Sequence, residues 1–359
     1  MQGKTAIPQP LNQCFARDFQ PGKHYQIYLR FTTHGVISAE IVAAQWIDNN
    51  DYLNVEHNSG VYYDLSENHT ANTYIISSAY SYCFNATVRG NGYTGVAAVP
   101  GASDGIYKVE NPVTAEIVWT DLVSGTDQNL DDFFKINPNV VDGRVFFNVI
   151  PVSATDFGLK KKGSVLVGVR DVDGNMLWTW HIWLTDRPLE QGYKNGFSVL
   201  DRDMGATAYN PADVTGTIAG FYYQWGRPTP LPLDKDVYKP EYNADGTWKS
   251  NSLVTFVKND DIVPVIDRVK SPTHFFTQKA TASDNTITKS LWGWRAEADE
   301  YAKTIYDPCP PGYRMPSKRL WRDLVIMDKA KVVSGHDAVK AAEFKVGVNH
   351  VEVFYPALH

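Results

Sequence analysis

One cysteine lies in a proline-rich segment, YDPCPPGYRMPSKRLW (306–321), and is the first candidate for chemistry. A cysteine becomes a nucleophile or a metal ligand when a base or further ligands stand near it. No histidine is close to Cys309 in sequence. Pro310, Pro311 and Pro316 fix φ and remove backbone donors, which favours an ordered, extended connection. Cys309 is therefore predicted to be a small buried hydrophobe and not a reactive thiol.

The residues after this connection predict a short amphipathic helix. Ser317 stands at the N-cap position, where its hydroxyl would accept a hydrogen bond from a first-turn N–H. Leu320, Leu324 and Met327 follow at helical spacing, with Trp321 beside them. We expect the rigid connection to direct this helix against a core. The residues with this predicted scaffolding role are Cys309, Pro310, Pro311, Ser317 and Trp321.

A second candidate is a calcium site in DVDGN (171–175). Asp171, Asp173 and Asn175 have the spacing of the first EF-hand ligands, but Ile182 occupies the position of the bidentate glutamate. Asp-Gly is also the dipeptide preferred in tight hairpin turns, because it accepts positive φ. A hairpin turn is the favoured interpretation, and we predict no metal site.

Hydrolytic chemistry has no motif in this chain. The patterns G-x-S-x-G and H-E-x-x-H do not occur, and the nine histidines are scattered. His336 and Asp337 adjoin in SGHDAVK, but neighbouring side chains point in different directions, so we interpret them as a solvated cap. The sequence therefore predicts a protein that is not an enzyme and uses no cofactor.

Aromatic residues form the candidate contact surface. If GFYYQWGR (220–227) is extended, Tyr222 and Gln224 share one face while the other aromatic side chains share the opposite one. Two interpretations stay open: both faces pack within the domain, or the first face lines a groove that binds a glycan or peptide by stacking and hydrogen bonds. LWGWR (291–295) offers a second surface of the same kind. The candidate ligand-binding residues are Tyr222, Gln224, Arg227, Trp292, Trp294 and Arg295.

Composition excludes several classes of partner. The net charge is −6 and no concentrated basic block occurs, which argues against nucleic acid. No run of about 18 apolar residues is present, so no membrane span is predicted. The beginning of the chain has no apolar h-region. Three distant cysteines give no zinc motif and no disulfide framework, and whether Cys14 and Cys83 approach each other stays open.

The pattern along the chain predicts a mainly β protein in three parts. HYQIYLRF and VISAEIVAAQW alternate with period two, as the hairpin of a β domain ending near residue 65. Residues 66–186 carry recurrent short β-rich runs, as in an Ig-like β-sandwich. A polar linker over 187–196 precedes an α+β region over 197–359. In the last sandwich strand, Trp178, Trp180, Ile182 and Leu184 are predicted to share the core face, with His181 on the opposite side.

Three segments in order resemble one known family of domains. They are LDRDMGATA, GFYYQWGRPTPLP and YDPCPPGYRMPSKRLW, and they are similar to the C-terminal domain of fimbrial tip proteins and surface lipoproteins of Bacteroidetes. GYRMPSKRLW also resembles a helix entry of the wider C-type-lectin-like fold. ANTYIIS, RGNG and DVDGNMLWTWHIWLTD are similar to segments that accompany this domain, and residues 10–50 resemble the closing strands of a fimbrillin-type domain.

The resemblance implies a function and a location. It implies a non-catalytic adhesin or accessory tip subunit of type V-like fimbriae, at the cell surface and associated with the outer membrane. Its partners would be other fimbrial subunits and a host or bacterial glycan or protein. The alternative is a surface carbohydrate-binding lipoprotein of a glycan-uptake system. VEVFYPALH is similar to a strand that continues into further strands in relatives, so the last domain is expected to be incomplete.

Overall fold

The computed structural model of the protein divides the chain into two compact units, 1–61 and 62–359. Each unit is described by itself. The structure describes residues 24–32, 35–44, 62–67, 69–92, 107–123, 128–192, 198–209, 216–224, 226–232, 238–242, 248–252, 268–274, 291–295, 300–301, 303–316, 324–332, 340–346 and 351–356.

The first unit contains the predicted hairpin. Strands β1 (His24–Thr32) and β2 (Gly35–Ala44) pair antiparallel, with a register irregularity between Arg30 and Phe31. The two strands that period-two alternation predicted are confirmed. Among the strands that the structure describes, these two pair only with each other.

The second unit is built from β-strands, so the prediction of a mainly β fold is confirmed. Its strands are β3 (Tyr63–Asp64), β4 (Thr73–Ile76), β5 (Ser81–Asn85), β6 (Thr114–Thr120), β7 (Phe134–Ile136), β8 (Arg144–Val149), β9 (Gly163–Arg170), β10 (Met176–Leu184), β11 (Glu190–Gly192), β12 (Ser198–Leu200), β13 (Tyr222–Tyr223), β14 (Pro230–Leu231), β15 (Tyr238–Tyr242), β16 (Trp248–Ser252), β17 (Trp294–Arg295), β18 (Glu300–Tyr301), β19 (Leu324–Val332), β20 (Lys340–Val346) and β21 (Val351–Pro356). A 3-10 helix, Leu130–Asp132, precedes β7.

Two sheets of this unit enclose the main core. One has six strands in the order β16-β15-β6-β9-β10-β4, and the other has four in the order β3-β5-β8-β7. Their facing sides meet through aromatic rings, with the Phe84 and Trp180 centroids 5.1 Å apart and Phe134 stacked 5.0 Å from Phe147. The first contact joins β5 of one sheet to β10 of the other, and the second joins β7 to β8 within the four-stranded sheet.

The core face predicted for the last sandwich strand is confirmed. Trp178, Trp180, Ile182 and Leu184 are at most 1% exposed and belong to the main hydrophobic cluster. The opposite side of β10 is buried as well, and His181 is 0% exposed. Both faces of this strand are therefore covered by protein.

The β9–β10 hairpin predicted around DVDGN is confirmed, but its turn differs in detail. Gly174 has a φ of 81°, whereas Asp173 does not have a positive φ. The amide of Gly174 donates to the carbonyl of Asp171 (3.1 Å), and the amide of Asp171 donates to that of Asn175 (3.1 Å). This three-residue loop requires the left-handed conformation only at its glycine, unlike the two-residue turn expected from Asp-Gly.

The helix predicted from Leu320 to Met327 is wrong from Leu324 onward. Leu324–Val332 forms strand β19, which pairs antiparallel with β20, and β20 pairs with β21. Pairing with β20, the next strand along the chain, outweighs the local i, i+4, i+7 spacing, and Val325 and Ile326 suit a strand. Ser317, Leu320 and Trp321 lie outside the described residues.

No complete helix is found among the described residues after position 197, so the helical part of the predicted α+β region is not seen there. The boundaries at 65, 186 and 197 stay predictions. Among the helical residues that the structure describes, no segment has the length and apolar character needed to cross a membrane.

Candidate functional site

The first predicted surface, around Tyr222, has one face in the core. Strand β13 pairs with β14. Phe221, directly before β13, packs against Trp119, with 5.1 Å between the ring centroids. Tyr223 packs against the main core, and burial raises its pKa well above the usual value. Tyr222 and Gln224 are half-buried. Of the two open interpretations, packing within the domain therefore accounts for the face of Phe221 and Tyr223.

Arg227 is used inside the fold. The residue is 0% exposed, and its Nη1 and Nη2 atoms donate to the carbonyls of His274 (2.5 Å) and Ser271 (3.1 Å). Burial lowers the pKa of the guanidinium to about 10, with a further contribution from the nearby charge of Arg268. The side chain fastens residues 271–274 to the end of GFYYQWGR, so it does not extend into solvent.

Replacing Arg227 by methionine is expected to lower the free energy of unfolding by about 2 kcal/mol, because two buried carbonyls lose charged donors. Urea titration followed by tryptophan fluorescence measures this loss. Arg170→Met is the matched control: Arg170 pairs with Glu116 near the surface, at 35% and 36% side-chain exposure. An exposed pair contributes at most about 1 kcal/mol. Equal losses for the two variants would contradict a structural role for Arg227.

The second predicted surface, LWGWR, contacts the first, GFYYQWGR, through buried residues. Trp292 is 8% exposed and, like Leu291, belongs to the main core. The backbone at Gly226 lies so close to the Leu291 side chain that a Cβ at Gly226 would collide with it. Trp294 and Arg295 form β17 with β18, but their side chains lie outside the described residues. The structure thus brings the two predicted groups together at their buried sides.

The 303–316 loop, which contains Cys309, is organised by a buried ion pair. Lys303 Nζ donates to the carbonyls of Cys309 (2.6 Å), Pro310 (2.8 Å) and Tyr313 (2.7 Å). Asp307 lies 4.0 Å from Nζ, and its carboxylate accepts from the amides of Cys309 (2.8 Å) and Met315 (2.9 Å). These bonds fold the proline-rich segment around two opposite charges.

Burial favours the neutral forms of the ionisable side chains in this loop. It lowers the pKa of Lys303 and raises the pKa of Asp307, because both charged forms lose water. It raises the pKa of the Cys309 thiol well above its usual range, and the neighbouring Asp307 adds to that shift. Cys309 is 7% exposed. The thiol is therefore protonated at neutral pH, the opposite of what a nucleophile requires.

Asn72 holds the 303–316 loop against strand β10, and the sequence reasoning missed it. Its Nδ2 atom donates to the carbonyls of Ile305 (2.7 Å) and Asp307 (2.8 Å), and its Oδ1 atom accepts from Trp178 Nε1 (2.8 Å). Asn91 Nδ2 donates to the carbonyl of Lys303 (2.8 Å). No local pattern identifies Asn72, because its partners are far away along the chain.

A serine and a histidine make a second polar contact in the same region. His181 Nε2 lies 2.9 Å from Ser164 Oγ, and Nδ1 lies 3.5 Å from Thr73 Oγ1. The Thr73 hydroxyl donates to the carbonyl of Pro308 (2.7 Å), so its oxygen is left to accept from Nδ1–H. A neutral imidazole satisfies this arrangement. His181 and Ser164 are 0% exposed, so the pair has the spacing of a general base and a hydroxyl but no access for a substrate.

The segment LDRDMGATA contains a third internal charge contact. Arg202 binds the Asp201 carboxylate through Nε (2.7 Å) and Nη2 (3.1 Å), and its Nη1 donates to Thr185 Oγ1 (3.1 Å). Both charged side chains are at most 6% exposed. Tyr209 covers the guanidinium at 5.4 Å and is itself 57% exposed.

The candidate calcium residues form the turn instead. Asp171 accepts from the amides of Asp173 (3.0 Å) and Asn175 (2.8 Å) and from the Asn175 side chain (3.0 Å). In the described part of the chain, no group of three or more His, Cys, Asp or Glu residues could hold a metal ion. His336 and Asp337 lie outside the described residues. Cys83 is a buried free thiol, and Cys14 is not among the described residues.

Each of the three family-like segments has a described charged residue that makes internal contacts: Arg202, Arg227 and Asp307. Arg202 binds Asp201 and Thr185, Arg227 binds the carbonyls of Ser271 and His274, and the Lys303–Asp307 pair binds backbone groups of its own loop. The arrangement can hold loops in fixed positions. The chain was compared with family models, with curated proteins and with solved structures, and none of the three comparisons gives a match.

Proposed function

We propose that the protein is a non-catalytic surface adhesin or accessory tip subunit of type V-like fimbriae. The observation that carries the proposal is that LDRDMGATA, GFYYQWGRPTPLP and YDPCPPGYRMPSKRLW occur together, in this order. These segments resemble those of fimbrial tip proteins. Arg202 of the first segment binds Thr185 directly after β10, Arg227 of the second binds the Ser271 carbonyl, and Asp307 of the third faces Lys303, which binds carbonyls of the 303–316 loop. A braced set of loops supports a role in presenting a surface to a partner.

The proposal includes three kinds of domain. Residues 1–65 would be the end of a fimbrillin-like domain, 66–186 an Ig-like sandwich, and 197–359 a C-type-lectin-like domain. The strand orders β5-β8-β7 and β6-β9-β10 support the second assignment, because they match the two sheets of an Ig-type Greek key. The parallel pairing of the early strand β4 with the late strand β10 is compatible with it.

Assembly would use strand addition. An extended segment that joins an open sheet edge gains main-chain hydrogen bonds and is selected by its alternating side chains. The β1–β2 hairpin supports this part of the proposal, because a two-stranded sheet is marginal on its own and gains stability from further strands. The partners would be other fimbrial subunits.

Immunogold labelling of surface filaments from the producing cells tests the proposal. We expect an antibody against the second unit to label filaments, and we expect the protein to copurify with sheared filaments in amounts that survive a high-salt wash. Labelling of the cell body alone, with no protein in the sheared fraction, would contradict a fimbrial role.

The alternative is a surface carbohydrate-binding lipoprotein of a glycan-uptake system. It is favoured by the half-buried positions of Tyr222 and Gln224, which leave an aromatic ring and an amide partly accessible. In this case Tyr222→Ala is expected to abolish a glycan-array signal, with at least a tenfold loss of affinity. Tyr107→Ala, at an exposed tyrosine elsewhere in the unit, should leave the signal unchanged. A glycan signal without filament association would select this alternative.

A further inference from the structure

Asp203 differs from Asp201, the other acidic residue of LDRDMGATA. In the part of the chain that the structure describes, its carboxyl has no hydrogen-bond or ion-pair partner. Two positions earlier, the Asp201 carboxylate accepts from Nε and Nη2 of Arg202. The Asp203 carbonyl accepts from the amide of Ala206 (3.0 Å), so the residue begins a tight turn over 203–206.

This turn holds Phe221 in place. The carbonyl of Met204 accepts from the amide of Phe221 (2.9 Å), and the backbone at Gly220 approaches Asp203 so closely that a Cβ at Gly220 would collide with the Asp203 Cβ. The Phe221 ring in turn contacts Trp119 (5.1 Å) and His181 (5.6 Å). Asp203 therefore lies where the turn is fastened to a ring that packs on the six-stranded sheet.

No described charge compensates an ionised Asp203. Gly220, which approaches Asp203, and the rest of 216–221 carry no ionisable side chain, and Asp201 and Arg202 are paired with each other. Burial alone raises the pKa of the carboxyl from 3.8 to about 6. A desolvated carboxylate without a donor is unstable relative to its neutral form.

We propose that Asp203 is a pH-sensitive switch for the contact between the 203–206 turn and residues 217–221. With a neutral carboxyl the contact is closed. Asp203 is half-buried, so an ionised carboxylate is incompletely hydrated in the closed form and gains water when the turn opens. The open form therefore becomes more populated when Asp203 ionises. The switch does not depend on the proposed fimbrial function.

The direction of the effect follows from proton linkage. The closed form binds the proton more tightly than the open form, whose carboxyl has the ordinary value near 4. The stabilisation of the closed form is complete below about pH 4, is lost between about pH 4 and 6, and stays low above that range. A shift of about two units corresponds to at most a roughly 100-fold change in the closed-to-open ratio.

Hydrogen exchange of the full chain between pH 4 and 7.5 tests the switch. After correction for intrinsic exchange, protection of peptides covering 203–206 and 217–221 is expected to fall by up to about 100-fold as pH rises. Asp203→Asn should show high, pH-independent protection. Asp173→Asn, in the exposed hairpin turn, should keep the wild-type profile.

Two results would overturn the switch: a flat wild-type profile, or an Asp203→Asn profile that still falls with pH. If Asp203→Asn does not fold, carboxyl NMR titration of the wild-type protein decides. A midpoint near 6 for Asp203 supports the switch, and a midpoint near 4 rejects it.

Discussion

Replacing Asn72 by alanine is expected to lower the free energy of unfolding by about 4 kcal/mol. The change removes hydrogen bonds to the Ile305 and Asp307 carbonyls and to the Trp178 indole, all in the buried interior. Each of those groups would remain desolvated without its present partner, and each unsatisfied buried group costs about 1–3 kcal/mol. The loss exceeds that of an ordinary surface substitution because one amide serves three distant groups.

Chemical denaturation of Asn72→Ala and of the matched control Asn175→Ala measures this effect. Asn175 lies exposed in the β9–β10 turn, where its side chain donates only to Asp171. We expect the control to change stability by less than about 1 kcal/mol. Proteolysis should also cleave the 303–316 loop faster in Asn72→Ala. Equal stability of the two variants would mean that Asn72 does not hold the loop.

Replacing Lys303 by methionine is expected to cost about 4 kcal/mol, the second large effect. Removal of one partner from a buried ion pair leaves the other charge uncompensated. Here it leaves Asp307, which is 0% exposed, and also removes the donor to three carbonyls. The remaining carboxyl should take up a proton more readily, so its already raised pKa should rise further.

A double-mutant cycle with Asp307→Asn separates the ion pair from the other contacts. The double variant is expected to lose less stability than the sum of the two single variants, because no buried charge is then left alone. Lys162→Met serves as the control, since Lys162 is 36% exposed and its pair with Asp186 lies at the surface. Strict additivity at positions 303 and 307 would contradict an energetic coupling between them.

Much of the fold could be predicted from local patterns. The hairpins β1–β2 and β9–β10 follow from period-two alternation and from a turn glycine, which depend on neighbouring residues only. The core face of Trp178 and Trp180 follows from the same alternation. At Leu324 and Met327 the local pattern failed, because two apolar residues at helical spacing can also lie in one strand, and pairing with β20 decides the outcome.

The contacts around the candidate site could not be predicted in this way. Asn72 and its carbonyl partner at Ile305 are 233 positions apart, and Arg227 is buried because the carbonyls of Ser271 and His274 face it. From the sequence alone, Arg227 and Trp292 are a charged and an aromatic residue in a turn-rich region. Only their three-dimensional neighbours show that these two side chains face inward.

The parallel pairing of β4 with β10 constrains how the protein is made on the ribosome. Thr73 leaves the exit tunnel before His181, its neighbour 108 positions later, and before Pro308, its hydrogen-bond acceptor 235 positions later. At about 5–20 residues per second, the wait for Pro308 lasts roughly 10–50 s. Until those residues are made, the nascent strand β4 lacks its contacts with His181 and Pro308. A chaperone that binds short apolar segments therefore has time to bind TYII before the two sheets close on each other.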